Sequence, residues 1–149
     1  MGSYNTVLVG TDGSDSSYRA VDRAADIARD AGATLLIATA FRPMTGKEAQ
    51  QAADALGHNA YKVTGSAPAE ETLRGASERA LSGGTVTIDT AALQGEPVDV
   101  LVQLVKDRQV DLLVVGNRGL NSITGRLLGS VPSVVAHRAT CDVLIVATT

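Results

Sequence analysis

Short, continuous apolar runs alternate with longer amphipathic segments along this chain of 149 residues. The runs have the length and apolar character of strands that are buried on both faces of a parallel sheet. They cover residues 6–10, 34–41, 86–93, 111–115 and 142–148. Between them, apolar residues recur every three or four positions, which predicts helices that end near Ala31, span 69–81, and begin at Pro97 and Ser130. The alternation predicts an α/β fold, a doubly wound, five-stranded parallel sheet with helices on both faces.

Residues 42–68 interrupt the alternation. They contain two turn-like stretches, and only residues 48–56 could form a helical turn or two. We interpret the segment as an irregular excursion over the surface, which could be mobile or act as a lid. The length of the chain otherwise fits one domain that covers residues 1–149 and contains this excursion.

The fourth predicted strand leads into a glycine-rich loop. Glycines occur at positions 116, 119, 125 and 129, and a helical pattern begins at Ser130. Glycine allows the backbone to approach an anion closely, and the first amides of a helix point toward it with the positive end of the helix dipole. This order of strand, loop and helix therefore predicts a phosphate-binding site.

The first predicted strand ends at a second polar turn, which contains Asp12. In the strand order 3-2-1-4-5, strands one and four are neighbours, and Asp12 would face the glycine-rich loop. A carboxylate there could accept hydrogen bonds from ribose hydroxyls or hold a metal ion on the phosphates. The alternative is a helix cap, although Ser14 or Asp15 is better placed for that role.

Composition excludes several classes of partner. Aromatic residues make up only 3% of the chain and the net charge is −3, so we expect no nucleic acid partner. No apolar run approaches the ~20 residues that cross a bilayer, and the chain opens with no signal-peptide pattern, so we expect a cytoplasmic protein without a membrane partner. No set of His, Cys or carboxylate residues has the spacing of a metal site.

The spacing Gly116-x2-Gly119-x9-Gly129-Ser130 resembles that of the nucleotide-binding members of the universal stress protein family. The resemblance covers essentially the whole chain. It includes the opening VLVGTDGSDSS, Gly95-x-Pro97 before a helix, the strand DLLVVGNRG and the final strand DVLIV. The sequence looks like a mycobacterial or related actinobacterial member, and the family implies a Rossmann-like fold.

The resemblance implies a role for individual residues. Asp12 would meet the ribose or the phosphate-bound metal, Ala40 would contact adenine through its backbone, and the three glycines would allow close approach to ribose and phosphates. Ser130 and Val131 would donate hydrogen bonds to phosphate oxygens. Arg118 and Arg126 lie in the loop, where each could reach a phosphate or equally remain solvated. The predicted nucleotide-binding set is Thr11, Asp12, Ala40, Gly116, Asn117, Arg118, Gly119, Arg126, Gly129, Ser130 and Val131.

The implied function is binding of an adenine nucleotide, either ATP with possible Mg²⁺ or a cyclic or monophosphate such as cAMP, in a stress response. We predict no catalytic residues and at most slow ATP hydrolysis. The alternative is an ATP-cleaving enzyme, because residues 11–16 nearly match the S-G-G-x-D-S loop of the related ATP pyrophosphatases. Asp12 replaces a glycine of that loop and no general base is evident, which favours binding.

The last predicted strand is apolar on both of its alternating faces. It would lie at the edge of the sheet, where an apolar strand without Pro or Lys can pair with another chain. The family resemblance implies the same interface, a homodimer formed across a two-fold axis through Val143, Ile145 and Ala147.

Overall fold

The computed structural model of the chain describes residues 4–41, 67–117 and 130–148. Within them, five parallel strands alternate with four helices in the order that the sequence predicts. The elements are β1 (Thr6–Gly10), α1 (Asp15–Ala31), β2 (Thr34–Phe41), α2 (Ala67–Ser82), β3 (Thr87–Gln94), α3 (Pro97–Asp107), β4 (Leu112–Gly116), α4 (Ser130–Arg138) and β5 (Asp142–Val146). The sheet order is β3-β2-β1-β4-β5, and this confirms the predicted α/β fold and strand order.

Two cores cover the two faces of the sheet. Val7 and Val9 of β1 belong to the core beneath α1 and α2, whereas Leu8 between them belongs to the core beneath α3 and α4. The side chains of β4 divide between the two cores in the same alternating way. Because both faces are covered by helices, the central strands need apolar side chains at every position, which explains their uninterrupted apolar runs.

Helix α1 has the start and stop signals expected from its sequence. Ser14 is its N-cap and accepts a hydrogen bond from the Ser17 amide, while Gly32 ends the helix in the left-handed conformation with φ +66°. A cap of this kind contributes about 1 kcal/mol to stability. The buried face of α1 is mostly alanine, which lets the helix lie close to the sheet.

Strand β5 is shorter than predicted. The sequence predicts a strand to residue 148, whereas β5 ends at Val146, the residue that pairs with Gly116 at the end of β4. A strand at the edge has one neighbour, so its ladder stops where that neighbour turns away. The predicted excursion at 42–68 lies outside the described residues, except that residues 67 and 68 form the start of α2.

Candidate functional site

The carboxyl ends of β1 and β4 lie side by side at the centre of the sheet. The two strands pair directly, with Val9 opposite Val114. After β1 the chain continues into α1 on one face, and the helix that follows β4 packs on the other face. Chains that leave adjacent strands toward opposite faces open a crevice between them, where ligands of doubly wound proteins bind.

The turn after β1 is closed by its own side chains. Thr11 is buried, its amide donates to the Ala38 carbonyl of β2 (2.9 Å), and its hydroxyl lies 2.7 Å from the Ser17 hydroxyl. The Gly13 amide donates to Thr11 Oγ1 at 3.1 Å. Thr11 therefore joins β1, β2 and the start of α1, and its role in the described structure is to hold the turn.

Asp12 is exposed and its carboxylate folds back on the turn. Its Oδ1 accepts a hydrogen bond from the Ser14 amide at 2.9 Å. Ser14 Oγ in turn accepts from the Ser17 amide at 3.2 Å, so Ser14 rather than Asp15, the other predicted candidate, is the cap of α1. Asp12 is thus not the cap residue, and it stands at the mouth of the crevice with its carboxylate reaching solvent.

Gly13 brings α2 into the site. Its backbone φ is +86°, a value that residues with a side chain rarely adopt. A Cβ added at Gly13 would lie 3.2 Å from Thr72 Oγ1. The loop after β1 therefore lies directly against α2. The sequence does not predict Thr72 as part of the site, because nothing in the pattern of a helix shows which residue of it touches a distant turn.

Ala40 lies near the carboxyl end of β2. It is half-buried, pairs with Leu93 of β3, and packs at the margin of the core beneath α3 and α4. It follows Ala38, whose carbonyl accepts the Thr11 amide, by two residues. The structure thus brings Ala40 to the same end of the sheet as the turn after β1.

The first residues after β4 are fastened to the end of β5. The Asn117 amide donates to the Val146 carbonyl at 2.8 Å, and Asn117 Oδ1 accepts from both the Thr148 amide (3.1 Å) and the Thr148 hydroxyl (2.8 Å). Arg19 of α1 donates to the Thr148 carbonyl at 2.6 Å. The sequence predicts neither Thr148 nor Arg19 as part of the site, since contacts over so long a stretch of sequence leave no local signal.

The start of α4 completes the described part of the site. Ser130 is its first residue, and Pro132 and Val135 are its buried residues. Arg138 pairs with Asp99 of α3 at 2.9 Å and holds the far end of the helix. The predicted residues Arg118, Gly119, Arg126 and Gly129 lie outside the described residues.

The described residues contain neither a metal-binding cluster nor a membrane span. In residues 4–41, 67–117 and 130–148, no group of three or more His, Cys, Asp or Glu side chains could hold a metal ion. No helix within the same residues is long and apolar enough to cross a membrane.

The fold and the crevice define a Rossmann-like α/β protein with its chain reversal between β1 and β4. A sequence profile of the Universal stress protein family matches residues 3–147. The chain belongs to the universal stress protein family. It is 56% identical, over the whole length of both chains, to universal stress protein Rv1636 of Mycobacterium tuberculosis. It is also 33% identical to YxiE of Bacillus subtilis, over 96% of this chain and 99% of that protein.

Solved structures resemble the whole fold. One is a crystal structure of a universal stress protein in complex with cAMP, with a TM-score of 0.75, 48% identity and coverage of 98% of both chains. Another is the crystal structure of Rv1636, with a TM-score of 0.59, 47% identity and coverage of 100% of this chain and 99% of that one. A universal stress protein from Archaeoglobus fulgidus, 22% identical with a TM-score of 0.69, shares the fold.

Proposed function

We propose that this protein binds an adenine nucleotide in the crevice between the ends of β1 and β4 and acts by binding rather than by catalysis. The observation that carries the proposal is the chain reversal itself, which directs α1 and α4 to opposite faces from adjacent strands. The relative that is 48% identical and has nearly the same length binds cAMP, which supports this class of ligand.

The hydrogen bonds of the first turn favour one orientation of the nucleotide. The amides of Gly13, Ser14 and Ser17 already donate to side chains of the turn, so a phosphate at the start of α1 would have to displace them. The start of α4 directly follows the glycine-rich segment. We therefore place the phosphate against the start of α4 and the ribose near Asp12.

The charge at the mouth of the crevice bears on the number of phosphates. Asp12 and Asp15 are both exposed carboxylates at the start of α1, and they repel a highly charged anion. A cyclic or monophosphate such as cAMP carries little charge, whereas ATP would need Mg²⁺ to reduce its charge. Asp12 could share that ion with the phosphates, because carboxylate oxygen is a preferred ligand of Mg²⁺.

The same turn argues against the pyrophosphatase alternative. A pyrophosphate needs free backbone amides, but Asp12 supplies a carboxylate that already takes the Ser14 amide. No general base is evident in the described part of the crevice. Wild-type protein with ATP and Mg²⁺ should therefore release product no faster than about one event per several minutes, far below the ~1–10³ s⁻¹ of dedicated enzymes.

Native mass spectrometry and calorimetry test the proposal together. The purified protein should carry, or take up, one adenine nucleotide per chain, and titrations with cAMP, AMP and ATP should rank their affinities. We expect Mg²⁺ to strengthen binding of ATP and to leave binding of cAMP unchanged. Absence of binding for all three ligands would refute the function, and several turnovers per second with ATP would replace it by the enzyme alternative.

We further propose that the protein forms a homodimer through β5. The strand lies at the edge of the sheet, Ile145 has 46% of its surface exposed, and Val143 is half-buried. An apolar edge strand is prone to pair with a second chain. Pairing of two β5 strands across a two-fold axis would cover Val143, Ile145 and Ala147.

Sedimentation of wild type and two lysine variants tests the dimer. Ile145→Lys should weaken dimerisation, because it places a charge in the proposed interface. Leu81→Lys is the matched control, since Leu81 is 50% exposed on α2, and it should sediment like wild type. A wild-type protein that is monomeric at micromolar concentration would refute the dimer proposal.

A further inference from the structure

Three residues from distant parts of the chain meet at the base of the glycine-rich loop. They are Arg19 of α1, Asn117 directly after β4, and Thr148 beyond β5, and we name this group the β5 latch. Thr148 is at its centre and is only 2% exposed. The latch belongs neither to the capped turn of α1 nor to the two cores.

The β5 latch supplies hydrogen bonds at the point where the ladder between β4 and β5 has ended. The ladder between β4 and β5 ends at Gly116 and Val146, and the Asn117 amide adds one more bond to the Val146 carbonyl. Beyond that point the Thr148 amide has no backbone carbonyl of β4 to meet, and Asn117 Oδ1 accepts it instead at 3.1 Å. The side chain of Asn117 thus continues the ladder past the last residue of β4.

Thr148 is held from three directions. Its hydroxyl donates to Asn117 Oδ1 at 2.8 Å, and its carbonyl accepts from Arg19 at 2.6 Å. Its methyl group packs on the backbone, because a Cβ added at Gly116 would lie 3.1 Å from Thr148 Cγ2. Gly116 therefore makes room for a side chain of the protein at this position, besides any room that it leaves for a ligand.

We infer that the β5 latch holds Asn117 in position for nucleotide binding at the carboxyl end of β4, with Thr148 and Arg19 acting through Asn117. This inference rests on the proposed nucleotide-binding function. Asn117 lies directly after β4, at the border of the proposed crevice. A residue that is already fixed in the free protein loses less conformational entropy when a ligand binds. Thr148 is buried and its polar groups are bonded to protein, so it acts as a positioning residue rather than a ligand contact.

Substitutions at Thr148 distinguish the contribution of its hydroxyl to nucleotide binding from the contribution of its side-chain volume. Thr148→Val keeps the methyl group and the volume but removes the hydroxyl, and we expect nucleotide affinity to fall about fivefold. Thr148→Ser keeps the hydroxyl and should bind within about twofold of wild type. Arg19→Met keeps the aliphatic stem, loses the bond to the Thr148 carbonyl, and should weaken binding as Thr148→Val does.

The control is Thr87→Val, a matched change at an exposed position that opens β3 at the opposite edge of the sheet. It should bind nucleotide like wild type. Calorimetry with cAMP and with Mg-ATP, well below the unfolding transition, gives the affinities. A merely structural role would lower the midpoint of thermal unfolding in Thr148→Val and leave its affinity unchanged.

A second readout needs no nucleotide. In the free protein, hydrogen exchange at the Asn117 amide should be faster in Thr148→Val and Arg19→Met than in wild type or Thr148→Ser. If wild type binds nucleotide and Thr148→Val binds equally well, the latch inference is overturned and the proposed function stands. If wild type binds no adenine nucleotide, both are overturned.

Discussion

The two turns that flank the crevice are built on different principles. The turn after β1 is closed by residues within six positions of one another, through the hydroxyls of Thr11, Ser14 and Ser17 and the carboxylate of Asp12. The segment after β4 is fastened at Asn117 by Thr148, which lies 31 positions away. The turn after β1 is thus stabilised by its own side chains, whereas Asn117 after β4 is held by a residue that is distant in the sequence.

This difference suggests a division of labour. A turn whose amides are already bonded to its own side chains has little capacity left for a phosphate, but it holds Asp12 in a fixed place beside the crevice. After β4, by contrast, Asn117 is held by distant residues, and the start of α4 can offer its first amides to a ligand. We therefore expect loss of the capping hydroxyl after β1 to affect stability more than affinity, and changes after β4 to do the reverse.

The largest expected effect is at Gly129. Gly129→Asp would put a side chain and a negative charge directly before α4 in the sequence, where we propose that the phosphate binds and where a helix start otherwise attracts anions. We predict that affinity for adenine nucleotides falls at least tenfold, a loss of about 1.4 kcal/mol or more, while the fold survives. Isothermal titration calorimetry on the folded variant measures this loss.

The control for Gly129→Asp is Gly32→Asp. Gly32 ends α1 at the opposite end of the molecule, and a Cβ there would meet no atom within 4 Å. This variant adds the same charge and should bind nucleotide like wild type, although its φ of +66° costs some stability. Unchanged affinity in a folded Gly129→Asp protein would remove the glycine-rich loop from the site.

The second effect concerns the self-capped turn. Ser14→Ala removes the acceptor of the Ser17 amide and should lower stability by about 1 kcal/mol, which lowers the midpoint of thermal unfolding by roughly 2–4 °C in a domain of this size. Nucleotide affinity should stay within about twofold. Ser133→Ala, at an exposed position of α4, is the control and should leave the midpoint near that of wild type.

A tenfold loss of nucleotide affinity in Ser14→Ala, measured where the protein is fully folded, would contradict the division of labour between the two turns. It would mean that the start of α1 also binds the phosphate, as in the pyrophosphatase alternative. Calorimetry and thermal unfolding on the same samples distinguish the two outcomes.

Local signals in the sequence predict most of the fold and the capped turn after β1. The apolar runs of β1 and β4 and a helix cap at Ser14 or Asp15 each depend on residues within one short window, so the amino-acid sequence alone is enough to predict them. The strand order 3-2-1-4-5 is an assumption of the sequence-based prediction, under which Asp12 faces the glycine-rich loop, and the sheet confirms that order.

The contacts that hold Asn117 after β4 cannot be predicted from a short window of sequence. The sequence places Thr148 inside the last strand, because an apolar run shows where a strand can form but not where its neighbour ends. Its bonds to Asn117 and Arg19 join elements that only the tertiary fold brings together. Thr72 beside Gly13 is a further contact of this kind.

The smallest expected effect is at Asp12, and it separates binding from catalysis. Asp12→Asn keeps one oxygen that can accept from a ribose hydroxyl or from the Ser14 amide, but it loses the charge that could hold Mg²⁺. We predict that affinity for Mg-ATP falls about threefold and that affinity for cAMP changes by less than about twofold. Asp30→Asn, an exposed carboxylate at the other end of α1, is the matched control and should change neither.

A second substitution at Asp12 tests whether the turn after β1 can support cleavage of ATP. Asp12→Gly recreates the glycine of the pyrophosphatase loop and removes the carboxylate from the Ser14 amide, yet it supplies no general base. It should therefore release no pyrophosphate faster than wild type when product is followed by chromatography at protein concentrations near that of ATP. Several turnovers per second in wild type, abolished by Asp12→Asn, would show that Asp12 takes part in catalysis and that the protein is an enzyme.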